Sequence, residues 1–278
     1  MPDAGRLSVC ATPIGNLGDV TLRVLDTLKL ADIIAAEDTR VTRKLLSRYD
    51  IHTPLEAYHA HNLQQRTPEF VDRMKAGEHV ALVSDAGTPG ISDPGAHLVE
   101  ACLDEGLTVE VLPGASAIVT ALVASGLPTH AFYFGGFLPR KSGELLRRAQ
   151  AVAGLDATLV FYESPRRVAT TLASLSVPFA GRQAALAREL TKLHEEVVRG
   201  DIAELAELMA ARELKGECVV LVGPPAPPTM ALDAPEVRAR VAFLVETGMS
   251  RSDAVRQVAE ETGLSRNAVY EAAHGRPD

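Results

Sequence analysis

A chain of 278 residues with 46% hydrophobic and 23% charged residues has the balance of an ordinary globular protein and length for two domains. Its formal net charge of −8 excludes a protein whose whole surface clings to nucleic acid, though local basic faces stay open to that role. No apolar run approaches a membrane span, MPDAGRLSV is no secretion signal, and Cys10, Cys102 and Cys218 are too scattered for disulfides or a metal site, so a cytoplasmic protein with buried thiols is expected.

Leu7 to Ala11 predicts a first buried strand, then the loop TPIGNLGD (12–19) and a helix over 21–30 with Leu22, Leu25 and Leu28 on one face. This is strand, glycine-bearing loop, helix, but without the G-x-G-x-x-G of a dinucleotide fingerprint. Ile33 to Ala36 predicts a second strand running into Glu37, Asp38, Thr39 and Arg40. Asp38 or Thr39 is expected to cap a helix over 41–48, and capping explains only one of the four polar residues. Leu55 to Tyr58 predicts a third strand, followed by His59, His61 and Asn62. The two histidines, spaced i, i+2, would share a face of an extended segment. With no third ligand in view, a polar rim or a plain loop is expected there and not a metal site. Pro68 to Lys75 predicts a helix, ended at Gly77.

The segment VALVSDAGTPGISDPG (80–95) is the most informative in the chain. Val80 to Val83 predicts a buried parallel strand. The loop beyond it runs from Ser84 to Pro94, longer than a βα connection needs. Its glycines let backbone groups approach a ligand and its prolines stiffen it. The carboxyl end of such a strand is where open α/β sheets bind ligands. A helix over 96–105 and a strand over 109–112 follow. PGASA (113–117) then leads into a helix over 118–125, its small side chains leaving backbone donors open. Alternating strands and helices to this point predict a mainly parallel sheet.

After residue 128 the pattern changes. Strands are expected over 132–135, 158–162, 183–187 and 218–222, with 195–199 as a hairpin partner and a charged helix over 142–153. These make a mixed sheet. The basic clusters Arg40-Arg43-Lys44-Arg48, Arg140-Lys141-Arg147-Arg148 and Arg166-Arg167 could each be a solvated helix face or part of an anionic-partner surface. Pro224 to Pro228 reads as a linker. Helices over 236–246, 252–262 and 266–273, with Gly263 at a turn, resemble a helix-turn-helix whose core would be Ala254, Val258, Leu264 and Val269. The charges there nearly cancel, so strong non-specific DNA binding is not expected. The fold class expected is α/β: a mainly parallel α/β domain over 1–115, a mixed-sheet α/β domain over 116–225, a linker over 226–235 and a helical module over 236–278.

TPIGNLGD, AAEDTR, VSDAGTPGISDPG, PGASA, FGGFLPRK, FYESPRR and ARELTK occur in the order found in one family. The chain thereby resembles the tetrapyrrole methylase (class III methyltransferase) superfamily, and within it the 16S rRNA cytidine 2′-O-methyltransferases, over residues 7–225 and into the appended helices. The resemblance implies two α/β domains of the tetrapyrrole methylase type with S-adenosylmethionine held between them. It implies cofactor contacts from Asp85, Ala86, Gly87, Thr88, Pro89, Ile91 and Ser92, from Ser116 and Ala117, and from Tyr162, Glu163, Ala184 and Ala185. Ile14 stands where the superfamily's first loop has a proline, which puts its direct cofactor role in doubt. For catalysis, Lys192 is the first candidate to help the ribose proton leave, positioned by Glu189 or Glu163, with Glu163 itself an alternative base. Asp38, Arg40, His59, Asn62, Arg140 and Arg166 are expected on the RNA side. The further implications are a homodimer acting on 16S rRNA in the small ribosomal subunit near its decoding centre, no metal and no membrane. The rival readings are another class III methyltransferase, acting on a tetrapyrrole or a protein side chain, and a non-catalytic cofactor- or RNA-binding homologue.

Overall fold

The computed structural model describes residues 5–226 and 232–274. The chain forms two compact units, Met1–Pro224 and Pro225–Asp278. Pro227 and Pro228 of the expected linker lie outside the described residues, as do Arg276 and Asp278 of the terminal charge balance.

The first unit begins with β1 (Arg6–Cys10), α1 (Leu22–Leu30), β2 (Ile33–Ala36), α2 (Thr39–Arg48), β3 (Leu55–Ala57), α3 (Leu63–Lys75), β4 (His79–Val83), α4 (Gly95–Asp104) and β5 (Thr108–Leu112). The five strands make a parallel sheet in the order β3-β2-β4-β1-β5. Strand periodicity explains why these runs are apolar throughout. Val80 and Leu82 pack on one face with Phe70, Met74 and Leu98. Ala81 and Val83 pack on the other with Val24, Leu28 and Leu45. The Thr21 and Asp38 side chains cap α1 and α2. Helix α3 starts five residues before the expected position and accommodates Pro68 in its second turn. The third strand stops at Ala57, so His59 and His61 sit on a turn and not on a shared strand face.

Helix α5 (Ala117–Ser125) joins this sheet to a second one. That sheet contains β6 (Phe132–Phe137), β7 (Thr158–Glu163), β8 (Gln183–Arg188), β9 (Glu196–Asp201) and β10 (Cys218–Val222), in the order β6-β7-β10-β8-β9. Only β6 and β7 run parallel; the other pairs are antiparallel. One face packs on α6 (Ser142–Val152), α7 (Val168–Leu175) and α8 (Ile202–Ala210) through Leu145, Leu172, Phe179 and Leu205. The other packs Val160, Ala185, Ala187, Val219 and Leu221 against Ile118 and Leu122 of α5 and against Ile14 from the first half. Burying a Val, Leu or Ile side chain fully is worth about 1.5–3 kcal/mol, so this shared layer holds the two sheets in one unit. Neither α7 nor α8 is among the expected elements.

The second unit contains α9 (Ala234–Glu246), α10 (Arg251–Thr262) and α11 (Arg266–His274). Helix α9 begins two residues before the expected start because Asp233 and Glu236 form a reciprocal capping box. Val237, Val241, Ala254, Val258 and Val269 form its core. Leu264, expected in that core, is 40% exposed, because Gly263 in the left-handed region turns the chain outward. Among the described residues, no helix is long and apolar enough to cross a membrane.

Candidate functional site

Strands β2 and β4 are neighbours, with Ala36 opposite Val83, so the polar residues after each are delivered side by side. Asp85 Oδ1 accepts from the Asp38 N–H at 2.9 Å, and Glu37 Oε2 accepts from the Asp85 N–H at 3.5 Å. Strand β1 delivers the first loop beside them. Thr12 and Gly87 exchange two backbone hydrogen bonds of 2.9 Å, and Thr12 Oγ1 donates to Ser84 C=O at 3.0 Å. Gly87 sits at φ +80°, a conformation glycine adopts at little cost. Farther on, Asp93 Oδ1 accepts from the N–H groups of Gly90, at 2.8 Å, and Gly95, at 2.7 Å, and so ties the loop into a closed turn. A Cβ at Gly95 would stand 2.8 Å from that oxygen and 2.9 Å from the Gly90 nitrogen.

The second sheet completes a cleft of about 500 Å³, within the range of small-molecule sites. Asp85, Ala86, Gly87, Thr88, Ile91 and Ser92 line it, as do Ser116, Ala117, Tyr162 and Glu163. Ile14 lines it too and packs toward Gly87. Ser116 begins α5 without a side-chain cap bond, which leaves the first-turn N–H groups without a side-chain partner. A bulge in β6 at Gly135 and Gly136 brings Phe137 to the cleft, its ring 5.5 Å from that of Tyr162. A side chain at Gly135 would collide with Phe161.

Other expected residues lie elsewhere. Pro89 is buried within the loop and does not line the cleft. Ala184 belongs to the outer core of the second sheet, and Ala185 to the layer against α5; Ala187, two residues on, is the β8 alanine that reaches the cleft. Asn62 closes the turn after β3, accepting from the His59 N–H at 2.8 Å and donating to Ala57 C=O at 3.0 Å. Neither His59 nor Asn62 lines the cleft, and His59 Nδ1 is buried without a partner. Asp38 is bound up with Arg40, whose guanidinium lies 2.6 Å away and holds the carboxyl down at about 2. Arg40 and Arg140 are exposed, and Arg166 lines a second cavity beside the cleft. Among the described residues, no group of three or more His, Cys, Asp or Glu side chains is arranged to hold a metal ion.

Glu163 is held inside the protein wall. Its Oε1 accepts from the Ser164 N–H at 2.8 Å, its Oε2 accepts from Thr171 Oγ1 at 2.7 Å, and Arg167 lies 3.4 Å away. Lys192 donates to Glu189 Oε1 at 2.8 Å and to Glu217 Oε2 at 2.9 Å. Glu217, which lines the cleft, has no place among the residues expected from the sequence; Glu37 and Asp93 line it too, the one expected only as a polar residue after the second strand and the other only as part of the loop 84–94. Burial pulls the Lys192 ammonium down, but its bonds to Glu189 and Glu217 outweigh that and hold it above the usual lysine range. Burial pushes Glu189 up; Lys192 and the Glu217 N–H outweigh it, so that carboxyl sits low. In contrast, burial and then the nearby Asp85 push Glu37 up, and burial also raises Asp85. The wall formed by the first half is therefore rich in carboxylates, and among the described residues none of Glu37, Asp85 and Asp93 forms an ion pair, Arg40 being taken up by Asp38. At the base of the cleft, burial pushes the Cys218 thiol up to about 11, which leaves it neutral and a poor nucleophile.

Comparison with known proteins bears on the family and the fold. Residues 6–206 match the family model for tetrapyrrole (corrin/porphyrin) methylases, and residues 231–276 match the model described as the RsmI C-terminal HTH domain. The chain is 47% identical over 266 residues to the ribosomal RNA small subunit methyltransferase I of Mesorhizobium japonicum, covering 95% of this chain and 90% of that one. It is 44% identical to the protein of the same name from Synechocystis, covering 96% of both. Among solved structures, the methyltransferase CobJ matches with a TM-score of 0.61 at 24% identity, over 82% of this chain and 97% of that one. A Thermus thermophilus uroporphyrin-III C-methyltransferase complexed with S-adenosylhomocysteine matches with a TM-score of 0.56 at 20% identity, over 79% of this chain and 97% of that one. These two likenesses concern the fold.

Proposed function

The chain belongs to the tetrapyrrole methylases and, within them, to the family of ribosomal RNA small subunit methyltransferase I, and from that premise we propose that it methylates the ribose 2′-oxygen of a cytidine in 16S rRNA near the decoding centre, using S-adenosylmethionine. The observation that carries the reading is the cleft between the two sheets, with carboxylates of the first half on one wall and Glu217 on the other, where Lys192, which does not itself line the cleft, bonds to Glu217 from behind. The donor set suits the cofactor. Glu37, Asp85 and Asp93 match its sulfonium and ammonium charges, and the amides at the start of α5 match its carboxylate. When bound, S-adenosylmethionine supplies an activated methyl group on a sulfur that leaves as a neutral thioether.

The protein's task is then to hold the ribose oxygen in line and to ease loss of its proton. Lys192 is held charged and so acts as a cation and not as a base: it stabilises negative charge growing on the ribose oxygen. We assign the proton to the Glu217 carboxylate, which is exposed at the cleft and hydrogen-bonded to Lys192. Glu189 positions Lys192 from behind. Glu163, already bonded to Ser164 and Thr171, fixes the end of β7 and Tyr162 with it. A pairing of two copies in the cytoplasm belongs to the same proposal; Val119 and Val123, four residues apart on one face of α5 and 53% and 69% exposed, would offer it an apolar face. The test is transfer of tritium from methyl-labelled cofactor to purified 30S particles. Label in 16S rRNA supports the assignment; folded protein that binds the cofactor and labels no RNA rejects it.

A further inference from the structure

Beside the cleft lies a second cavity of about 560 Å³, lined by Arg166 from the turn before α7 and by Arg212, Glu213 and Lys215 from the segment between α8 and β10. Pro165 and Gly216 line both cavities. Gly216 has no side chain to wall them apart, and none would fit, since its φ is +88° and a Cβ there would collide with the Glu189 side chain.

We propose that this groove is a phosphate subsite, holding the RNA backbone next to the nucleotide being methylated; the proposal rests on the reading that the substrate is small-subunit rRNA. Arg166 and Lys215 are exposed, and among the described residues neither forms an ion pair. Arg212 does bond to Glu196, at 2.8 Å, but Arg188 shares the same carboxylate at 3.2 Å. The groove lining thus carries three cations, Arg166, Arg212 and Lys215, against one acid, Glu213. In a chain of net charge −8, that local excess is notable for its position. The carboxylates Glu37, Asp85 and Asp93 line the cleft next door. A polyanion is repelled by that wall and drawn to the groove, while a cationic cofactor has the opposite preference. Lys215 and Glu217 are two residues apart, so their Cα atoms lie within about 7 Å of each other, and Glu217 Oε2 is 2.9 Å from Lys192 Nζ, which sets the groove beside the proposed catalytic pair.

The test compares the whole chain with an Arg166→Gln/Lys215→Gln variant and with an Arg23→Gln/Lys29→Gln control, two exposed cations of α1 that line neither cavity, in binding to purified 30S particles across a salt series. Calorimetry with S-adenosylmethionine alone checks the cleft. Each lost phosphate contact lowers the slope of log affinity against log salt by somewhat under one. The expected result is at least a tenfold loss of 30S affinity and a slope shallower by about one to two for the groove variant, unchanged cofactor affinity, and little change for the control. An unchanged slope, or an equal loss in the control, overturns the proposal. So does a variant that loses intact 30S but still binds naked 16S rRNA like the parent, since the groove would then dock a ribosomal protein. If the parent binds 30S with the expected slope difference yet transfers no methyl, the enzymatic assignment fails and the subsite stands.

Discussion

Lys192 and Glu217 lie 25 residues apart in the chain, yet Lys192 Nζ stands 2.9 Å from Glu217 Oε2, and that carboxylate lines the cleft. The register of β8 with β10 sets this up. Arg188 pairs with Cys218, and the Glu189 N–H extends the ladder to Glu217 C=O at 2.9 Å. Glu189 and Thr191 then take left-handed conformations, φ 52° and 65°, and turn Lys192 back over the strand end. Two non-glycine residues in that region within three positions is a strained arrangement, of the kind that concentrates at functional sites.

Replacing Lys192 should therefore cost turnover and little else. Lys192→Ala is expected to lower kcat by about 10²–10³-fold, the usual effect of removing one donor aimed at developing charge. Its ion pairs are partly exposed, so stability should fall by under about 1 kcal/mol. Single-turnover methyl transfer and calorimetric cofactor binding separate the two. A Lys192→Ala protein with parental turnover removes Lys192 from the mechanism.

Gly216→Ala tests the same unit without touching a charge. The new methyl group would displace Glu189, and the φ of +88° would add backbone strain of about 1–2 kcal/mol. Loss of kcat is expected together with a lower Tm, measured by the same transfer assay and by thermal unfolding. Parental kcat would show that Lys192 does not depend on Glu189 for its position.

The loop after β4 owes its closed shape to one carboxylate oxygen. Asp93→Ala leaves the Gly90 and Gly95 amides without their acceptor. A charge-assisted hydrogen bond contributes about 1.5–3 kcal/mol, so cofactor affinity should fall roughly tenfold or more. Asp93→Asn, which keeps one acceptor oxygen, should recover part of it. Equal affinities for the three proteins in a titration calorimeter would contradict this account of the loop.

Glu37 should show stability and binding moving in opposite directions. Its folded-state pKa lies above its unfolded value, chiefly through burial, so the charged form destabilises the empty protein once pH rises through the folded value. The neutral Glu37→Gln should then raise Tm near pH 7 and lose that advantage well below pH 4.5, where both states of the parent are protonated. Its affinity for S-adenosylmethionine should drop, because a countercharge is gone. Thermal melts across pH with cofactor titrations check both signs.

Charges on the exposed valines of α5 test the assembly. Val119→Glu/Val123→Glu is expected to convert a dimer to monomers in sedimentation equilibrium, with the cofactor cleft intact by calorimetry. A parent that sediments as a monomer contradicts the pairing.

Much of this fold could be read directly from the chain. The runs Ile33–Ala36 and Cys218–Val222 are strands at the expected bounds because a buried strand leaves an unbroken apolar signature. The loop of Asp85 to Ser92 was equally plain, since glycine and proline exceed what a simple connection requires. Helix α7 was hidden: VATTLASL is rich in Thr and Ser, which do not favour a helix interior, and it forms because Val168, Leu172 and Leu175 bury against the second sheet. Glu217 was hidden for another reason. It is one polar residue before a strand, and only the pairing of β10 with β8 brings it to Lys192. Ala187 was missed in favour of Ala184 and Ala185 because the alternating faces of β8 could not be assigned without knowing which one α5 covers.

The central claim is that the cleft joins a methyl donor to a ribose oxygen, and the most direct measurement is the chemical identity of the methylated nucleoside. Digest 16S rRNA from treated 30S particles to nucleosides and resolve the labelled product by mass spectrometry. The account predicts 2′-O-methylcytidine with the parent protein and its near disappearance with Lys192→Ala. A methyl group on the cytosine base, or on no nucleoside at all, would contradict it.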